Sequence, residues 1–161
     1  VSTGGAGNAE STGSAGSAQR TGGADVPAFR PTDVLGAWTL ARTVVDRTAG
    51  DTRVVAGTTT LTSVHDGRVL WEESGTMTWS GGSVPVSRTL VVTDEGADGW
   101  MVRFADGREF HPWRPGTEVV HDCAPDVYRG FVDGSPAAWS VVWEATGPAK
   151  DYRMESRLTR P

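Results

Sequence analysis

His121, Cys123, Asp126 and Tyr128 lie in one short run of a chain of 161 residues. An imidazole, a thiol, a carboxylate and a phenol are the groups that acid–base and nucleophilic chemistry draw on. Residues two apart on a strand share a face, so His121 goes with Cys123, and Asp126 with Tyr128. Pro125 has no N–H to give to a ladder, which predicts a bulge or bend between the two pairs. Such a bend can aim all four side chains at one pocket. Three readings stand open: a core wall with an inert buried thiol, the lining of a ligand pocket, or a Cys123 nucleophile with His121 as its base.

A second set is ionic. Glu73 falls in the alternation Val69, Trp71, Glu73, Gly75, Met77, Trp79, and Arg88 lies between Val86 and Leu90. Both faces are apolar, so both charges are expected to point inward. A lone buried charge is too costly, so the two should pair across neighbouring strands. The pair is either structural, or Arg88, together with Arg108, offers an anion site to a ligand carboxylate or phosphate. Arg108 and Phe110 share one face, while Glu109, His111 and Trp113 share the other. Both faces are mixed, so alternation does not say which is inside. His111, His121, Cys123 and Asp126 are permissible metal ligands, but their spacing matches no zinc pattern. His111 or His121 can serve as a haem axial ligand. The expectation is nevertheless no metal and no cofactor.

Strands must position these groups. The hydrophobic period is two along Val84, Val86, Arg88, Leu90, Val92, along Trp100, Val102, Phe104, and along Trp139, Val141, Trp143. Asp66-Gly67, Gly81-Gly82, Asp106-Gly107 and Asp133-Gly134 are hairpin signals. Strand segments are read at 36–47, 53–64, 68–79, 84–93, 99–105, 108–113, 117–123, 126–132, 138–146 and 150–159. Some are expected to merge, giving eight or nine strands. The one helical turn expected is Pro31–Leu35, with Pro31 in its first turn. Even-spaced strands without long crossovers predict an all-β fold, an antiparallel up-and-down β-barrel, with a two-sheet sandwich as the rival. A barrel of this size encloses room for one small ligand. Residues 1–28 hold twenty Gly, Ala, Ser or Thr. They are expected to be a disordered tail, which leaves one domain at 29–161.

The formal net charge of -5 disfavours nucleic acid as a partner. No apolar run approaches 18 residues, so no membrane insertion is expected, and no basic start precedes an apolar block as in a secretory signal. A single cysteine excludes an intramolecular disulfide and suggests the cytoplasm. Fourteen Arg against the lone Lys150, with no Ile, is the usage of a GC-rich genome. Nothing in the sequence signals an oligomeric state, and no catalytic triad, phosphate loop or dinucleotide fingerprint appears.

Gly36-Ala37-Trp38 opens the first strand. It leads a series that includes Leu40, Arg42, Glu73, Arg88, Asp106-Gly107-Arg108-x-Phe110-His111, His121-x-Cys123-x-x-Asp126-x-Tyr128 and Gly147-Pro148-x-Lys150-Asp151-Tyr152. The series resembles a small calycin-like (lipocalin-like) family of unknown function from bacterial and fungal genomes, over residues 34–160. The resemblance implies a lipocalin-like barrel and no established activity. It also implies that Trp38 closes one end, that Gly36 lets the chain pass close to it, and that a basic side chain of the last strand covers Trp38. Lys150, Arg153 and Arg157 are the candidates.

Seven Trp either fill a core or line a cavity. The first functional expectation is a barrel that binds one small-molecule ligand, mostly apolar with a polar or anionic end. Trp71, Trp100 and Trp143 would line it with Glu73, Arg88, Arg108, His111, His121, Cys123 and Tyr128. The second is an isomerase, cyclase or hydrolase in the same cavity, with His121 or Asp126 as acid–base and Tyr128 or Arg88 stabilising charge. The third is a protein-contact domain with a filled core. The first two need a cavity of roughly 300 Å³ or more; the third needs none.

Overall fold

The computed structural model describes residues 28–161. The expected tail, except for Ala28, lies outside the described residues. Ten strands follow one another: β1 (Gly36–Asp46), β2 (Asp51–Ser63), β3 (Val69–Trp79), β4 (Gly82–Asp94), β5 (Trp100–Phe104), β6 (Glu109–Trp113), β7 (Glu118–Cys123), β8 (Asp126–Ser135), β9 (Ala138–Gly147) and β10 (Lys150–Thr159). None of the expected segments merges. The tight turns between them keep each strand beside its sequence neighbour.

The sheet order is β6-β5-β4-β3-β2-β1-β10-β9-β8-β7, antiparallel throughout. This is an up-and-down meander that curls into a nearly closed barrel. β6 and β7 meet at its seam without a ladder between them. Pro112 sits in β6, on the seam, where a missing N–H costs no ladder bond.

One end of the barrel is plugged. The 3-10 turn Pro31–Val34 starts on Pro31, and Asp33 Oδ2 accepts the Arg30 N–H at 2.7 Å. Two indoles hold this segment down: Trp38 Nε1 donates to the Val34 carbonyl at 2.8 Å and Trp113 Nε1 to the Phe29 carbonyl at 2.9 Å. Phe29, Trp71, Trp113 and Trp139 interlock at ring separations of 5.4–6.3 Å, mostly edge to face, the geometry that aromatic quadrupoles favour. They leave a solid floor.

Arg160 covers Trp38, with its guanidinium 3.8 Å from the ring centroid and Nη1 donating to the Leu35 carbonyl at 3.0 Å. The expectation of Lys150, Arg153 or Arg157 is corrected by register. Thr159 pairs with Thr39, so only the residue after β10 reaches the level of Trp38. Lys150 begins β10 at the opposite rim.

Candidate functional site

Above the aromatic floor lies a cavity of about 260 Å³ that opens between the hairpin tips. The β5–β6 hairpin supplies Phe104, Arg108 and Phe110. β7 and β8 supply His121, Cys123 and Tyr128, and β9 and β10 supply Trp143, Tyr152 and Met154. Arg88 of β4 completes the wall.

The ambiguous face of β6 is settled by a bulge. Val102 pairs with His111, but Arg103 pairs with Glu109, so Phe110 is the extra residue. A bulge lets two consecutive side chains turn the same way. Phe110 stacks on Trp143 (4.8 Å, 19°) and on Phe104 (4.7 Å, 29°), and His111 is buried behind them, 5.0 Å from the Trp143 ring. Gly130 makes room for this stack, because a Cβ there would lie 2.5 Å from the Trp143 ring. Burial pulls the His111 pKa down to about 4, helped by Arg88 and His121 and opposed by the Pro112 carbonyl 2.8 Å from Nδ1. His111 is therefore a neutral residue behind the cavity wall. Trp100 and Trp71 are also off the wall, Trp71 lying beneath Arg88.

Ala124-Pro125 forms the turn between β7 and β8, with Cys123 opposite Asp126 and His121 opposite Tyr128. The bend predicted there is this hairpin turn. It brings the His121 and Tyr128 rings to 6.0 Å, and Phe110 meets His121 edge-on at 5.4 Å. Cys123 carries an exposed free thiol on the wall. Asp126 faces the rim instead, where its Oδ2 lies 2.6 Å from Lys150 Nζ. Lys150 Nζ also donates to Tyr128 Oη at 2.9 Å. Asp126 first, and Tyr128 second, hold the Lys150 ammonium above the usual lysine range. Two runs distant in sequence thus meet at the mouth, an encounter that neither run announces alone.

Glu73 and Arg88 do pair, at 3.0 Å, on β3 and β4. A third member was missed: Arg42 Nη2 stands 2.7 Å from the same Glu73 oxygen, and Arg42 Nε donates to Ser156 Oγ at 2.7 Å. The alternation Trp38, Leu40, Arg42 contained the signal. The Glu73 side chain is 4% exposed. Burial alone would raise its pKa, but Arg88 and Arg42 outweigh it and hold the carboxyl below the usual range. Arg88 is pulled down by burial, supported by Glu73 and opposed by Arg42. Its guanidinium lies 5.7 Å over Trp71, on the floor. It also borders a second cavity of about 50 Å³ beside Glu73. Arg88 Nε and Glu73 Oε1 are buried without a hydrogen-bond partner. Two cations share one carboxylate here, and no acidic side chain lines the larger cavity. The inner end of that cavity therefore carries surplus positive charge. Among the described residues, no three His, Cys, Asp or Glu side chains converge as a metal site.

A meander barrel with a plugged end and an open, cavity-bearing end is a calycin-like fold. The chain belongs to DUF6314, a family of unknown function, which it matches over residues 34–160. Its fold is similar to the S-type phycobiliprotein lyase CPES from Guillardia theta (TM-score 0.60, 13% identity, 81% of this chain and 90% of that one). A redesigned β-barrel, mFAP1, bound to DFHBI also matches (TM-score 0.43, 15% identity, 81% of this chain and 97% of that one). No curated protein matches the chain. Among the described residues no helix is long and apolar enough to cross a membrane.

Proposed function

We propose that the barrel binds one small planar ligand, mostly apolar, with an anionic group at its inner end. The observation that carries this reading is the excess cation at Arg88. The Arg88 guanidinium is half-buried, so water screens its charge only in part and a second anionic partner there is favourable. Glu73 is already shared with Arg42, so a ligand carboxylate or phosphate would complete the balance. The stacked Phe104, Phe110 and Trp143 offer flat faces to a ring or conjugated chain. Arg108, over Phe104 at 5.3 Å, stands exposed at the entrance. His121 and Tyr128 would orient polar atoms from the β7–β8 side.

The volume of about 260 Å³ lies just under the usual ~300–1,000 Å³ of small-molecule sites, and the open mouth lets a ligand protrude. A barrel with a filled core would leave no such space. The likeness to a phycobiliprotein lyase is in keeping with a barrel that handles a small molecule. The only cysteine is an exposed thiol, which suits a reducing compartment such as the cytoplasm.

Native mass spectrometry with 2-naphthoate tests the reading. A one-to-one complex is expected, reduced at least tenfold in Arg88→Gln. Absence of any complex at millimolar naphthoate contradicts it.

A further inference from the structure

The rim of the cavity adds a second polar group at the exposed end. Lys150 Nζ donates to Tyr128 Oη at 2.9 Å, and an ammonium has no lone pair with which to return the bond. The phenol proton of Tyr128 must therefore point elsewhere. The neighbouring Tyr152 phenol shares a side-chain hydrogen bond with Tyr128 in which the Tyr152 proton is the one held, and Tyr128 lies on the cavity wall. Asp126 is held by Lys150 through Oδ2, and its Oδ1 lies against Gly147, where a side chain would have no room. Tyr152, on the same wall, has its phenol pushed up by burial first and then by the neighbouring Tyr128, through charge and through a side-chain hydrogen bond, with Lys150 acting against. It stays a neutral phenol.

We propose that Tyr128, polarised by the Lys150–Asp126 pair, donates a hydrogen bond to an oxygen acceptor at the outer end of the ligand. This rests on the anion-site reading and narrows the ligand class. The guest is a planar conjugated acid with its acid group toward Arg88 and a carbonyl or phenolate oxygen at the far end. The floor and the rim then read opposite ends of one molecule. Lys150 is a positioning residue, since it acts through the Tyr128 oxygen.

The test uses 2-naphthoate and 6-hydroxy-2-naphthoate, whose second oxygen lies opposite the carboxylate. Donation from Tyr128 stabilises the naphtholate, so the naphthol pKa, read by absorbance, is expected to fall by about one unit or more on binding. A one-unit fall corresponds to a tenfold tighter grip on the naphtholate. The fall is expected to vanish in Tyr128→Phe and to shrink in Lys150→Met. The preference for hydroxynaphthoate over naphthoate, about tenfold at a pH where the bound naphthol is ionised, is expected to collapse in Tyr128→Phe. A fall in pKa that persists in Tyr128→Phe overturns the proposal, because Lys150 and Arg108 alone then account for it. Equal binding of the two probes by the wild type also overturns it, while leaving the anion site intact. If neither probe binds, the underlying reading fails together with this one.

Discussion

Lys150 Nζ lies 2.6 Å from Asp126 Oδ2, so the only lysine of the chain is fastened to a carboxylate two strands away. The β8–β9–β10 register makes the contact, with Lys150 opposite Gly147 and Val127 opposite Thr146. Gly147 is the necessary companion, because a side chain there would occupy the place of the Asp126 carboxylate.

A single lysine gives a single ammonium resonance in lysine-labelled protein. Its titration midpoint is expected above that of free lysine, and Asp126→Asn is expected to lower it, since Asp126 is the main cause of the rise. Gly147→Ala should act in the same direction by displacing Asp126. A midpoint unmoved by either substitution would mean that the pair does not form in solution.

The Arg42–Glu73–Arg88 cluster predicts unequal costs. Glu73→Gln leaves two half-buried guanidinium groups without a counter-charge and is expected to cost up to about 3 kcal/mol of stability, below the full cost of a buried unpaired charge because Arg88 still reaches solvent. Arg88→Met leaves a balanced Arg42–Glu73 pair and should cost less than about 1 kcal/mol. Urea unfolding of the two variants checks the order. Similar losses in both would show that Arg88 is a structural partner and not a surplus charge.

His111 sets a pH window. Its folded pKa of about 4 lies below the ordinary 6.5, so the unfolded chain binds the proton more readily. The stabilisation from burying the neutral ring is complete above pH 6.5 and is lost as pH falls toward 4, by about 3 kcal/mol in all. Glu73 adds its own loss below the usual carboxylate range, because its folded pKa is depressed. Melting temperature followed from pH 7 to pH 4 should fall more steeply in the wild type than in His111→Gln. Parallel curves would place the acid sensitivity elsewhere.

Gly130 controls the aromatic wall. Ala at this position would put its Cβ 2.5 Å from the Trp143 ring, so the indole must move. Overpacking of this kind costs typically 1–3 kcal/mol. Because Trp143 lies on the cavity wall, Gly130→Ala should also weaken 2-naphthoate binding several-fold, measured by fluorescence quenching. A stable variant with unchanged binding would remove Trp143 from the site.

The strands were legible because each buries one face and shows another to water, so alternation survives in the sequence. Asp66-Gly67, Gly81-Gly82 and Asp106-Gly107 do mark turns, but Asp133-Gly134 lies inside β8 and the chain turns only after Ser135, because both residues still pair with β9. Inward Glu73 and Arg88 followed from the same alternation, and Arg42 was equally readable on the face of Trp38 and Leu40. Phe110 and His111 were not, because a bulge breaks the period without leaving a mark in composition. Phe104 and Tyr152 depend on where the hairpin tips stop relative to the mouth, which strand lengths set only after the barrel closes. The Lys150–Asp126 contact and the cap of Arg160 on Trp38 are consequences of register between strands, and no local pattern encodes register across three strands. Contacts within a hairpin, such as His121 with Tyr128, needed only Pro125 to be read as a turn rather than as a bulge.

The most direct test of the anion site is a calorimetric cycle with 2-naphthoate and its neutral isostere 2-naphthamide on the wild type and on Arg88→Gln. A charge-assisted bond in a walled site is worth about 1.5–3 kcal/mol, or more than tenfold in affinity. The wild type is expected to prefer naphthoate by at least that factor, and Arg88→Gln to bind the two within about twofold of each other. Equal affinities in the wild type, or a preference that survives Arg88→Gln, would contradict the assignment of the inner end to an anion.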